Sequence, residues 1–286
     1  MSISIDKDCK LILYADDSAI FYAHKDPGII EQKLSRNLGN CFTWLVDNRL
    51  SLHLGKTETI LFGPPRKLKQ VVNFTVVCNG QEIKGSDSVK YLGVCIDKFL
   101  SCENIVLSII HKVNARLRFL YRNACCLNMM TRKTLCSALI QCYFDYACSS
   151  WYCGISKQLR HRLQTTQNKV VRFILNLGPR ESISRNILDS LGFLNVEDRA
   201  MQLRLNHVYN IFHGKSPSYL CEQFVMNSNN TRSATNKNFV IPKIRGNESS
   251  CFFYNAIKDW NALPVETKEL PTKCSFKKAV KFFFSQ

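Results

Sequence analysis

The sequence has no hydrophobic run long enough to cross a membrane, because no stretch approaches the ~20 apolar residues of a spanning helix. The first eight residues also lack the basic start and apolar run of a signal peptide. The first absence excludes the integral-membrane class, and the second gives no sign of export. We therefore expect an intracellular protein, in either the nucleus or the cytoplasm, without a membrane partner.

Acidic residues are few beside basic ones. The 286 residues include 22 Asp and Glu against 39 Lys and Arg, which gives a net charge of +17. Such an excess favours polyanionic partners, since basic side chains that contact phosphates release counterions from nucleic acid. Charge alone supports a nucleic-acid-binding protein and a merely basic protein equally. Hydrophobic residues make up 45% of the chain, so we expect it to fold.

Metal-binding spacing is missing too, although the chain has 14 cysteines. The cysteines between Cys125 and Cys153, with His161, show neither paired Cys-x-x-Cys ligands nor the spacing of a zinc knuckle. Because many cysteines lie in apolar helical patterns, we expect reduced thiols, mostly in the core. No set of residues resembles a hydrolase triad.

Residues 1–100 alternate short apolar runs with turns, which predicts an α+β unit with an antiparallel sheet and a helix. The runs at 11–14 and 18–21 flank Asp16 and Asp17, and they predict a hairpin with both carboxylates exposed at its tip. Further predicted elements are a helix capped by Asp26, strands at 50–54, 59–62 and 91–96, and a hairpin at Asn79-Gly80.

After Cys102 the apolar period is helical, which predicts a mostly α-helical region at 101–226. Residues 131–152 are apolar nearly all round and predict a central buried helix. Residues 227–286 should form a polar linker, up to residue 238, and a small C-terminal module. One helix is predicted before residues 131–152 and another after them, and each has an apolar face on one side and a basic face on the other. The residues of the two basic faces are Lys112, Arg116, Arg118, Arg122, Arg160, Arg162, Lys169 and Arg172.

Tyr14-Ala15-Asp16-Asp17 places two adjacent carboxylates at a tight turn between apolar strands. A rigid hairpin would leave their oxygens free to bind Mg²⁺, and a two-metal polymerase site begins with such hard oxygen ligands. Aspartate is also a favoured turn residue, so an ordinary turn explains this pair better when the pair is taken alone.

The Tyr-Ala-Asp-Asp string resembles the signature hairpin of reverse transcriptases, and later segments are similar to the non-LTR branch of that family in the same order. Residues 44–63 resemble the helix end, strand and Lys-Thr-Glu turn that follow the hairpin in that family. Residues 90–94 resemble the primer-gripping end of its palm. The tail regions of LINE-like elements, including the RTE and jockey types, are similar to residues 163–168, 209–220 and 276–279.

This resemblance implies a partial palm, a helical thumb and a C-terminal region of an RNA-directed DNA polymerase from a non-LTR retrotransposon. It implies Mg²⁺ as cofactor, an RNA template and a DNA primer as partners, and Asp16 and Asp17 as catalytic, metal-binding residues. Lys56 lies where the family carries a lysine that helps to protonate pyrophosphate, although a solvated loop lysine explains it better. The basic helix faces would follow the template-primer backbone without reading its bases, although ordinary solvated faces are the common alternative.

The chain departs from the family upstream of the hairpin. The family carries a further catalytic aspartate on an earlier palm strand, preceded by fingers. Only thirteen residues precede Tyr14, and Asp6 and Asp8 are the carboxylates among them. We therefore expect a polymerase fragment that is inactive alone. The alternatives are a non-catalytic nucleic-acid-binding protein derived from such an element, and a gene fragment without a cellular role.

Overall fold

The structure is a computed structural model of the chain, and it describes residues 5–71, 73–227, 235–243 and 251–285. The chain is mixed α and β and forms two compact units, Met1–Asn104 and Ile105–Gln286. We call the first the N-terminal unit and the second the helical unit. No helix among the described residues is both long and apolar enough to span a bilayer.

The strands of the N-terminal unit form separate two-stranded antiparallel hairpins in the part of the chain that the structure describes. Two of these hairpins confirm the sequence prediction, and at the second Asn79 and Gly80 have φ of 47° and 77°, as a tight two-residue turn requires. The pairs are β1 (Lys10–Tyr14) with β2 (Asp17–Phe21), β3 (Thr75–Cys78) with β4 (Gln81–Lys84), and β5 (Ser88–Tyr91) with β6 (Val94–Asp97).

Several strand predictions are wrong. The alternation at 50–54 is too short to define a strand, and a 3-10 turn covers Leu54–Lys56 instead. In the run at 59–62, only Thr59 makes a bridge, to Gly85. Residues 91–96 are not one strand, because the positive φ of Leu92 and Gly93 turns the chain back between β5 and β6.

The helix α1 (Pro27–Asp47) confirms the prediction that Asp26 caps it, since the Asp26 carboxylate accepts a hydrogen bond from the Gly28 amide at 2.9 Å. Ile30 of α1 joins a small core with Phe74 and Val76 of the β3 region. This contact packs the helix against the second hairpin. A one-turn helix, α2 (Pro65–Leu68), lies between them in sequence.

Asp97 fixes the loop at the end of β6. Its carboxylate is buried and accepts hydrogen bonds from the amides of Phe99, Ser101 and Cys102 and from the Ser101 hydroxyl. Burial acts to raise the pKa of Asp97, but these donors outweigh burial and the pKa is lowered. Leu100 and Cys102 have φ near 55°, so the carboxylate holds a strained loop.

Between Glu103 and Cys221 the helices of the helical unit follow one another through connections of fewer than ten residues. The predicted buried helix at 131–152 is broken, because Ile140 leaves the helical path (φ −121°) and Ala147 is left-handed (φ 50°). The bounds are α3 (Glu103–Arg122), α4 (Met129–Leu139), α5 (Gln141–Asp145), α6 (Cys148–Trp151), α7 (Lys157–Leu175), α8 (Arg185–Ser190), α9 (Val196–Phe212), α10 (Ser218–Cys221), α11 (Phe252–Asn261), α12 (Val265–Lys268) and α13 (Lys273–Ser285).

α9 carries a large part of the core of the helical unit. Leu205 and Tyr209 of α9 are fully buried, and they cluster with Trp260 of α11 and Phe276 of α13. The rings of Tyr209 and Phe276 lie 4.5 Å apart between centroids. The helices that follow the predicted linker therefore share one core with α9.

The predicted linker at 227–238 is only partly described, since residues 228–234 lie outside the described residues. Beyond them the chain is held in place. The Lys237 carbonyl accepts a hydrogen bond from the Trp260 indole, and Phe239 is buried in the core. The last part of this stretch is therefore packed structure and not a flexible connection.

The cysteines are all free, as the sequence predicts. The expected burial holds for six of them, whereas five are exposed, including the adjacent Cys125 and Cys126. Among the described residues, no group of three or more His, Cys, Asp or Glu is placed to hold a metal ion.

Candidate nucleic-acid interface

The aspartate hairpin has the predicted form. β1 and β2 pair Tyr14 with Asp17, which leaves Ala15 and Asp16 as the connecting residues. Ala15 has a φ of 52°, a left-handed conformation that costs a residue with a Cβ about 1–2 kcal/mol. Asp16 and Asp17 are both exposed. Lys56 is also exposed, at the end of its 3-10 turn.

Asp16 and Asp17 offer the hard oxygen donors that suit Mg²⁺, which is commonly bound by one or two carboxylates together with water and substrate phosphates. Asp6, upstream of them, is engaged elsewhere. Its carboxylate pairs with Arg36 and Lys33 of α1, and these two hydrogen bonds lower the pKa of Asp6 to about 2. The carboxylate oxygens of Asp16 and Asp17 are therefore of the type that Mg²⁺ prefers. The Asp6 carboxylate is already bound by the two cations of α1.

The helical unit contains a groove of about 690 Å³ between α3 and the C-terminal part of α7, which we call the basic groove. Its cations are Arg118 from α3 and Lys169 and Arg172 from α7, with His111 beside them. The three cations belong to the two basic helix faces that the sequence predicts to bind nucleic acid, one residue from the first face and two from the second. Helices whose cations are about fifty residues apart in sequence thus contribute to one surface.

Helical spacing explains this lining. His111, Asn114, Arg118 and Tyr121 follow one another at three or four residues and form a single stripe along α3. A second stripe on α3 is buried in the core: Ile105, Val106, Ile109, Val113, Leu117 and Leu120. The first stripe lines the groove, together with Leu117 from the buried stripe.

None of the described residues that line the basic groove is a carboxylate. Among the described residues, Arg118, Lys169 and Arg172 form no ion pair. The Arg172 guanidinium donates a hydrogen bond to the Glu181 carbonyl at 2.8 Å, and the Glu181 carboxylate accepts one from the Gly178 amide at 2.6 Å. The groove therefore concentrates positive charge that the described part of the chain does not neutralise.

The remaining basic residues of the prediction lie elsewhere. Lys112 and Arg116 both contact Tyr143. The Lys112 ammonium lies 5.8 Å from the ring centroid, and the Arg116 guanidinium donates a hydrogen bond to the Tyr143 hydroxyl at 3.3 Å. Arg160 pairs with Glu197 at 3.3 Å and lies over the ring of Tyr152. These three residues face their own structural partners and do not line the groove.

Arg122 and Arg162 extend the charge of the groove along its two walls. Both are exposed. Arg122 follows Arg118 by one helical turn, and Arg162 precedes Lys169 by seven residues, or about 10 Å along the helix axis. The basic surface is thus longer than the groove itself.

Sequence reasoning missed His111, Tyr121 and the turn that carries Leu177 and Pro179, all of which line the groove. The spacing of His111 and Tyr121 relative to Arg118 is a signal that could have found the first two. No local pattern shows that the turn after α7 folds beside α3.

Comparison of the chain with protein-family models, with curated proteins and with solved structures gives no match.

Proposed function

We propose that this chain is part of the RNA-directed DNA polymerase of a non-LTR retrotransposon, and that its helical unit binds the nucleic-acid backbone. The observation that carries the binding proposal is the convergence of Arg118, Lys169 and Arg172 on one groove, whose described lining includes no carboxylate. Cations placed together repel one another, and a polyanion relieves that repulsion. The partners are an RNA template and a DNA primer.

Phosphates are the groups that these cations suit. Contacts to phosphate oxygens position a nucleic acid without reading its sequence, so we expect similar affinity for unrelated sequences. Three phosphate contacts would make log affinity fall by ~2 to 3 units for each decade of salt, because each contact contributes ~0.7 to 0.9. Contacts to Arg122 and Arg162 would steepen that dependence.

The polymerase assignment is supported by the ordered resemblance along the sequence and by the exposed carboxylates of Asp16 and Asp17. On this proposal the N-terminal unit is a partial palm, and α3 and α7 belong to a thumb. Asp16 and Asp17 would hold Mg²⁺, which when bound supplies electrostatic stabilisation of the phosphoryl group being transferred. The contribution of the chain itself is to hold both carboxylates at the end of a two-residue connection.

A second function is favoured by the convergence of Arg118, Lys169 and Arg172 on the basic groove, because these cations suit a polyanion without any metal ion. It is non-catalytic nucleic-acid binding by a protein derived from such an element. The two functions differ in their need for Mg²⁺. Primer extension that requires Mg²⁺ and is lost in Asp16→Asn would establish the enzyme, whereas binding alone would persist in a chelator.

The binding proposal is tested by fluorescence anisotropy with primed duplexes of two unrelated sequences, in EDTA and at fixed salt. We expect the Arg118→Glu, Lys169→Glu double variant to lose affinity for both duplexes. Its matched control is Lys112→Glu, Arg116→Glu, which makes the same change in charge on residues that face Tyr143. Equal loss in the two variants would show that net charge, and not the groove, determines binding.

A further inference from the structure

The basic groove has an apolar side that phosphate binding does not require. Leu117, Leu177 and Pro179 line it together with the ring of Tyr121. Tyr121 is 52% exposed, although it is a large aromatic residue. An exposed aromatic ring beside cations is typical of surfaces that bind single-stranded nucleic acid, where bases stack on the ring and phosphates meet the charges.

The ring of Tyr121 is held in place before any ligand binds. It contacts the ring of Phe173 edge to face, with a centroid distance of 4.8 Å. Phe173 is itself 1% exposed, so it forms a fixed support. A ring that is already ordered loses little conformational freedom on binding, which favours its use as a stacking platform.

The arrangement of cation and ring distinguishes an unpaired base from a paired one. Arg118 and Tyr121 lie three residues apart on the same stripe of α3, and Arg172 lines the groove from the other wall. Inside a duplex the faces of each base are covered by its neighbours, and only the edges are accessible in the grooves. A paired base therefore cannot stack on Tyr121, whereas an unpaired base can.

The groove is also of suitable size. Its volume of about 690 Å³ lies within the ~300–1,000 Å³ of pockets that bind small molecules. One nucleotide is a ligand of this size class. The apolar residues would contact the base and sugar, and the cations of both walls would meet the phosphates on either side.

We propose that the basic groove binds an unpaired nucleotide of a single strand, with its base on Tyr121 and its flanking phosphates at Arg118, Lys169 and Arg172. The inference rests on the proposed function, because it names the form of nucleic acid that the same groove takes. The chain then prefers a single strand, or a single-stranded segment beside a duplex, to a closed duplex.

The test compares a short oligothymidylate with an abasic strand of the same length, which has the same phosphates and no bases. We expect the oligothymidylate to bind about 5- to 150-fold more tightly, the range for one base stacked on an aromatic residue. Tyr121→Leu should remove that difference, so that the oligothymidylate binds no more tightly than the abasic strand. Tyr121→Phe, which keeps the ring, should retain the difference.

Tyr219→Leu is the matched control, because Tyr219 is 66% exposed and lies outside the groove, in α10. It should change neither affinity. Equal binding of the two strands by the parent chain would overturn the inference and leave the binding proposal standing. Failure of the parent chain to bind either strand would overturn the inference as well. The proposed function would instead be overturned if the parent chain failed to bind the primed duplexes, or if Arg118→Glu, Lys169→Glu bound them fully.

Discussion

The ring of Tyr121 meets the ring of Phe173 edge to face, with their centroids 4.8 Å apart. The contact joins α3 to α7, the two helices that form the walls of the basic groove. Arg132 of α4 supports Phe173, because its guanidinium lies 5.4 Å from the ring centroid and donates a hydrogen bond to the Phe173 carbonyl at 3.2 Å. The shape of the groove therefore depends on a residue that does not line it.

Replacing Arg132 should loosen this support. The guanidinium also donates to the Ala124 carbonyl and to the Asn176 side chain, so Arg132→Met removes three hydrogen bonds. We expect a loss of about 2 to 4 kcal/mol in unfolding free energy, measured by urea denaturation, together with weaker nucleic-acid binding. Met130→Ala, at an exposed position of the same helix, is the control and should change stability little.

The salt dependence of binding reports the contacts of single cations. Lys169→Gln removes one charge from the groove, so the slope of log affinity against log salt should become shallower by ~0.7 to 0.9. Lys112→Gln, outside the groove, should leave the slope unchanged. A slope that stays the same in Lys169→Gln, measured by anisotropy from low to moderate salt, would show that Lys169 does not contact a phosphate.

The burial of Lys268 leads us to expect that the stability of the folded chain rises with pH. It is fully buried, its ammonium donates hydrogen bonds to the Asn236 carbonyl and the Asn238 side chain, and burial lowers its pKa to about 8. Between this value and the unfolded pKa near 10.4, the unfolded chain binds more protons than the folded chain, so stability rises with pH. The total effect is at most about 3 kcal/mol.

Lys268→Met removes this titration, and comparison with it separates Lys268 from the other groups that titrate at high pH. Urea denaturation of both chains from pH 7 to pH 10 should show the parent gaining stability relative to the variant. Parallel curves over that range would mean that the folded and unfolded pKa values of Lys268 are equal.

Asp97 makes stability rise with pH in the acid range. Because its folded pKa is lowered, its contribution to stability is present above about pH 4 and is lost as pH falls through the folded pKa. Asp97→Ala should cost about 3 kcal/mol at neutral pH, since it leaves buried amide donors without their carboxylate. The difference between parent and variant should shrink below pH 4.

Asp87→Ala is the control for Asp97→Ala. The Asp87 side chain is 86% exposed and pairs with Lys98 at the surface of the same unit, so its loss should cost less than about 1 kcal/mol. A comparable cost at the two positions, by urea denaturation at neutral pH, would contradict the role given to Asp97.

The predicted elements that form are those with strong local signals. The hairpins at Asp16 and at Asn79-Gly80 have apolar runs on both sides of turn residues, and α1 begins at a recognisable cap. The break at Ala147 has no such signal, since neither glycine nor proline marks it. We attribute that break to packing within the helical unit, because Cys148 and Trp151 are buried directly after it.

The candidate site was predictable in part for the same reason. Helical spacing places Arg118 on one basic face and Lys169 and Arg172 on another, but it does not show that these faces meet. Pro179 enters the groove through a turn whose path depends on tertiary contacts. The contribution of Tyr121 also depends on the support of Phe173, fifty-two residues away in sequence.

The burial of Trp260 and Phe276 against α9 has a consequence for biosynthesis. A ribosome delivers α9 first, and the aromatic side chains that cover it are synthesised several seconds later at ordinary elongation rates. During that interval the apolar face of α9 has no partner from α11 or α13. The nascent helical unit should therefore need chaperone protection until Phe276 leaves the exit tunnel, and ribosomes stalled before that point should carry a chain sensitive to protease at α9.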